Sequence, residues 1–151
     1  HRGWLALYGA LMLAPLAVAA LADPLPVARP AGVEFGVALG FVALPALLMQ
    51  YALVSRLRQV SGSWGLDVLM LFHRQMGLVA SAIAALHAMS TMASAPRAAA
   101  APDADSTVVT SGGIALLGAV LLVTTSIGRR RLNLDYRLWH GVHAVAALVV
   151  A

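Results

Sequence analysis

The sequence predicts an all-α transmembrane helical bundle, and three observations predict it. Across 151 residues, 61% are hydrophobic and only 11% charged, against typical soluble values near ~45–50% and ~25%. Mean hydropathy is +0.86, and positions 35–54, 75–96 and 106–128 carry no formal charge, so hydrocarbon is the fitting solvent. The apolar residues also fall into runs of the length a spanning helix needs, roughly 20 residues.

Taken in order, the runs are Trp4 to Ala22, Val33 to Val54, Leu66 to Ala93, Val108 to Ile127, and Leu138 onward. The first follows Arg2 and ends in Ala20-Leu21-Ala22 before Asp23, a pattern shared with signal peptides, but it is long for their apolar core and reads better as a spanning helix. Pro15 and Pro45 inside the first two runs are tolerable in a bundle and predict kinks. Gly32, Gly36 and Gly40 form a small-residue stripe in the second run, suited to close helix packing, and Gly112, Gly113 and Gly118 promise the same in the fourth. The fifth gives about 14 residues, roughly 21 Å of helix, so a continuation past Ala151 is expected. The connections carry breakers: Asp23-Pro24-Leu25-Pro26 with Pro30, Ser61-Gly62-Ser63-Trp64-Gly65, Pro96 and Pro102 in an alanine-rich stretch read as loop, and Gly128-Arg129-Arg130-Arg131.

All ten basic residues are arginine. Arg2, Arg56, Arg58, Arg129, Arg130, Arg131 and Arg137 fall on one side of an alternating topology, and Arg29 and Arg97 on the other with Asp23, Glu34, Asp103 and Asp105. By the positive-inside rule the N-terminus is cytoplasmic and the third segment enters from the cytoplasm. The net charge of +4 thus belongs to membrane orientation, and nucleic acid is not an expected partner. The absence of cysteine rules out disulfides, thiolate metal sites and a cysteine nucleophile, leaving redox chemistry to a bound cofactor.

Histidine carries the functional signal. His73 and His87 lie fourteen residues apart in the third run, a spacing that returns to within roughly 40° of one helix face and separates the rings by roughly 21 Å along it. An imidazole in hydrocarbon needs a partner, which is either a neighbouring Ser or Thr that glues helices or a ligand. Trp139-His140-Gly141-Val142-His143 opens the fifth run at the depth of His73. Two neutral imidazoles facing each other from two helices suit the axial positions of haem iron, whereas zinc needs a third or fourth protein ligand.

Phe72-His73-Arg74-Gln75-Met76-Gly77-Leu78, then His87, then Thr125-Ser126-Ile127-Gly128-Arg129-Arg130-Arg131-Leu132, then Tyr136-Arg137-Leu138-Trp139-His140-Gly141-Val142-His143 resemble the ferric reductase-like transmembrane domain. That family includes bacterial ferric reductases, the membrane part of NADPH oxidases, and the haem-bearing membrane subunit of a periplasmic methionine sulfoxide reductase system. The resemblance implies a six-helix bundle holding two b-type haems, one toward each side of the membrane. By position it makes His73 an inner-haem ligand, His87 an outer-haem ligand, and His143 the ligand opposite His73. The family's fourth histidine stands some 13 or 14 residues further on, beyond Ala151, and so do the sixth helix and any flavin domain. His140 competes with His143, since residues three apart point about 60° from each other. His143 is favoured, leaving His140 a supporting or interfacial group. Arg74 reads as snorkelling toward the cytoplasmic surface, as a partner for haem propionates, or as both. Arg129 to Arg131 read as positive-inside anchors or as a docking face for a flavin domain.

The expected function is transmembrane electron transfer by an integral protein of the bacterial inner membrane. The resemblance implies electrons from NAD(P)H and FAD, held on a missing domain or a cytoplasmic flavin protein, passing to an extracytoplasmic acceptor such as ferric iron or dioxygen. The chain is then a membrane oxidoreductase that is catalytic only with that flavin part, since it contains no Gly-rich dinucleotide fingerprint. Two alternatives stay open: a quinol-fed haem subunit for a periplasmic reductase, and a transporter or structural bundle without haem. Against the last, no Asp or Glu lies well inside a helix to relay protons.

Overall fold

The computed structural model describes residues 2–22, 30–55, 64–98 and 106–150, with no side chains described at 2, 95–98 and 106–109. Among the described residues there are five helices and no strand: α1 (Arg2–Ala22), α2 (Ala31–Val54), α3 (Leu66–Ala98), α4 (Ser106–Gly128) and α5 (Tyr136–Val150). The first four contain stretches long and apolar enough to cross a bilayer, Gly3–Ala22, Ala31–Val54, Leu66–Ser94 and Thr110–Gly128, with mean hydropathies of 2.1, 2.0, 1.5 and 1.8. Large apolar side chains such as Leu21, Met89 and Leu148 stand at 86%, 66% and 71% exposure, as lipid permits and water does not. The chain divides into two units, His1–Ser94 and Ala95–Ala151.

In the first unit, Tyr8 of α1, Leu53 of α2 and Leu69 of α3 are buried together, with Trp4, Met12, Met49, Phe72 and Met76 around them. The Tyr8 and Phe72 rings meet edge-on at 5.3 Å, a favoured aromatic geometry. Gln50 supplies the polar counterpart: its Nε2 donates to the carbonyl of Ala46 at 3.2 Å and to the Tyr8 hydroxyl at 3.5 Å. α1 and α2 remain helical through Pro15 and Pro45. Gly65, at φ +74, turns the chain into α3 with a backbone angle that other residues rarely adopt.

Three sequence expectations need correction. The third helix does not stop near Ala93 but runs through Pro96 to Ala98. A single proline removes only one backbone donor near a helix end, and alanine-rich neighbours favour continuation. The fifth helix starts two residues before Leu138, at Tyr136, because the Asp135 carboxylate accepts from the backbone N–H of Arg137 at 2.8 Å and caps it. The glycine stripes are only partly used. Gly36 and Gly40 lie against α3, whereas an added Cβ on Gly32 would meet nothing within 4 Å. In α4 only Gly118 touches a partner helix, facing Val149, Val150 and the Ala146 carbonyl of α5, while Gly112 and Gly113 face open space.

In the second unit, α4 and α5 pack as a hairpin. The turn between them is held by backbone bonds from Leu132 to Gly128 at 2.8 Å and from Leu134 to Arg129 at 3.2 Å, with Asn133 at φ 47, a left-handed conformation that Asn tolerates. The segments containing Asp23, Pro24, Pro26, Arg29, Arg56, Arg58, Ser61, Gly62, Ser63, Pro102, Asp103 and Asp105 lie outside the described residues, as does His1.

Candidate functional site

Each unit carries one pair of the sequence-marked histidines. His73 and His87 are on α3 in the first unit, and both are half-buried. His73 follows Phe72 of the core cluster, so its position on α3 is fixed by the packing of α1 against that helix. The next residue, Arg74, is exposed, as snorkelling requires.

His87 has the more complete surroundings. Its Nδ1 lies 2.7 Å from the backbone carbonyl oxygen of Gly36 on α2, a short hydrogen bond. A carbonyl oxygen has no proton to give, so Nδ1–H donates, and the neutral ring keeps its lone pair on Nε2. That is the tautomer in which an imidazole binds a metal, with the second nitrogen tied to a carbonyl. The approach depends on glycine: a Cβ at Gly40 would stand 2.9 Å from Cε1 and 3.0 Å from Nδ1 of the same ring. The α3 backbone beside it is also tied down, because Ser90 Oγ and Thr91 Oγ1 both donate to the His87 carbonyl, at 2.9 and 3.0 Å.

In the second unit the two α5 histidines part company. His143 is half-buried and its Nδ1 lies 3.0 Å from Ser126 Oγ on α4. The hydroxyl both donates and accepts, so this contact also allows the Nε2 lone-pair form. His140 is exposed, with its ring centre 5.9 Å from that of Tyr136 and 6.5 Å from that of Trp139. Trp139 lies closer to His143, at 5.1 Å.

Arg129 does not extend outward with its neighbours. Its guanidinium lies 5.1 Å from the Tyr136 ring centre and 4.9 Å from that of Trp139, within cation–π range, while Arg130 and Arg131 are exposed. Sequence reasoning missed three of these contacts: the Gly36–His87 bond, the Ser126–His143 bond and the folded-back Arg129. Only the last left a sequence trace, an arginine seven residues from Tyr136 and ten from Trp139 across a short turn.

Among the described residues no three His, Asp or Glu side chains gather around one point. Single imidazoles are the kind of donor that would fit an iron whose other ligands come from a porphyrin. A family model described as ferric reductase-like transmembrane component matches residues 39–151, more than half the chain, including His73, His87, His140 and His143. No curated protein and no solved structure gives a match.

Proposed function

The chain belongs to the ferric reductase-like transmembrane component family, and from that premise we propose that it carries electrons across the membrane through b-type haem held by its histidines. The observation that carries this reading is His87, whose Nδ1 is committed to the Gly36 carbonyl at 2.7 Å and whose Nε2 is thereby left as the ligand atom. His73, fourteen residues earlier on the same helix, gives α3 a second imidazole roughly 21 Å away along the axis. In this reading, carried over from the family by position, His73 and His143 are each inner-haem ligands and His87 an outer-haem ligand. Iron so held supplies one-electron chemistry by alternating between its ferric and ferrous states.

The remaining work belongs to the chain. Its apolar helices keep water from the ligand nitrogens, and Ser126 orients the His143 ring through the 3.0 Å contact. Arg74 is exposed beside His73 and offers a guanidinium for a propionate. His140 is an interfacial group, supported by its exposure. The arginine distribution supports a cytoplasmic N-terminus and cytoplasmic entry of electrons. The donor side is then FAD with NAD(P)H on a further domain or partner protein, and the acceptor, such as ferric iron or dioxygen, is outside. A reduced-minus-oxidised spectrum of the purified full-length protein tests the proposal: sharp b-type bands and non-covalent haem in a pyridine assay are expected, and their absence rejects it.

A further inference from the structure

Gly36 and Gly40 hold one ring between them. The Gly36 carbonyl, buried in α2, has two lone pairs, one serving the Gly40 N–H as in any helix and the other available to the His87 Nδ1–H. The bare Cα of Gly40 lets the imidazole lie close enough to use it, since even a methyl group there would fall 2.9 Å from Cε1, closer than carbon atoms pack. Gly32, one turn before Gly36 on the same stripe, faces nothing within 4 Å, so the stripe as a whole does not explain the contact. We propose that Gly36 and Gly40 are positioning residues for His87, and that the Gly36 hydrogen bond lowers the reduction potential of the iron His87 binds.

The direction follows from the bond. An Nδ1–H that donates to a carbonyl leaves the ring more electron-rich and its Nε2 a more basic ligand, which favours the ferric state. Displacing the ring from Gly36 removes that donation, and the potential rises. The inference rests on the proposed haem function, and the experiment separates the two.

Full-length wild type, Gly40→Ala and Gly32→Ala are titrated electrochemically in membranes, following the b-type bands. Gly40→Ala is expected to raise one haem's midpoint by about a tenfold change in its oxidised-to-reduced ratio, ~59 mV for one electron, leaving the other haem and all of Gly32→Ala at wild-type values. Nitrogen NMR of the wild-type protein freed of haem is expected to find His87 protonated at Nδ1. If Gly40→Ala loses the haem instead, the tautomer alone decides. Wild-type midpoints in Gly40→Ala, or an Nε2-protonated His87, overturn the inference and leave the haem function standing. A wild-type protein without haem overturns both.

Discussion

Replacing Leu53 by alanine empties a space shared by three helices, because this side chain is 0% exposed and packs with Tyr8 of α1 and Leu69 of α3. In a water-soluble core such changes cost about 2.7–5.0 kcal/mol, the smaller value being mostly transfer of the deleted carbons and the excess, about 2 kcal/mol, the unfilled cavity. Lipid is as apolar as leucine, so the transfer part drops out between helices and packing remains. The expected loss for Leu53→Ala is therefore about 2 kcal/mol, roughly a 30-fold shift in the folding equilibrium at 1.4 kcal/mol per decade. Leu13 of α1, at 54% exposure, serves as the control, and Leu13→Ala is expected to change stability by under about 0.5 kcal/mol. Reversible unfolding in mixed micelles, followed by tryptophan fluorescence, measures both. Equal effects at the two sites would refute the packing of α1 on α2 and α3 and the separation of transfer from cavity terms.

Three further outcomes are expected. In the full-length protein His143→Ala removes one haem of two while His140→Ala retains both, as quantified by haem content; loss confined to His140→Ala reverses the roles proposed for them. Gly118→Val forces apart the α4–α5 hairpin, whose nearest side-chain atoms would already lie 3.0 and 3.1 Å from an added Cβ, and lowers the melting temperature in detergent, whereas Gly112→Val, facing open space, does not. Because the chain has no cysteine, a single Arg130→Cys reports topology directly: labelling by an impermeant maleimide only after the cytoplasmic face is opened supports the proposed orientation, and labelling of intact cells reverses it.

The spanning segments were legible because a bilayer demands one long apolar run per helix, a signal that needs no knowledge of neighbours. The ends were less so. The fifth run reads as starting at Leu138 until the Asp135 carboxylate is seen capping α5, and Pro96 reads as a breaker until α3 passes through it. His73, His87, His140 and His143 stood out because histidine is rare in hydrocarbon. Their partners did not: the atom that fixes His87 is a main-chain oxygen, which every residue possesses, and Ser126 is one hydroxyl among many. Gly32, Gly36 and Gly40 look alike in the sequence, and only the position of α3 distinguishes the two that touch it.

The turn between α4 and α5 sets limits on how this stretch of chain tolerates changes in length. Asp135 starts α5, and Trp139 and His143 follow at intervals of four, so the cap, the indole and the imidazole climb one side of a helix whose phase is set at its first residue. An extra codon between Asp135 and His143 would rotate the imidazole by about 100° and advance it by about 1.5 Å relative to the Asp135 cap, taking it off Ser126. An insertion before Asn133 leaves the helix its own start signal and disturbs only the turn. Natural length variation in this hairpin is therefore expected at 130–133 and not at 135–143, a boundary drawn by one aspartate.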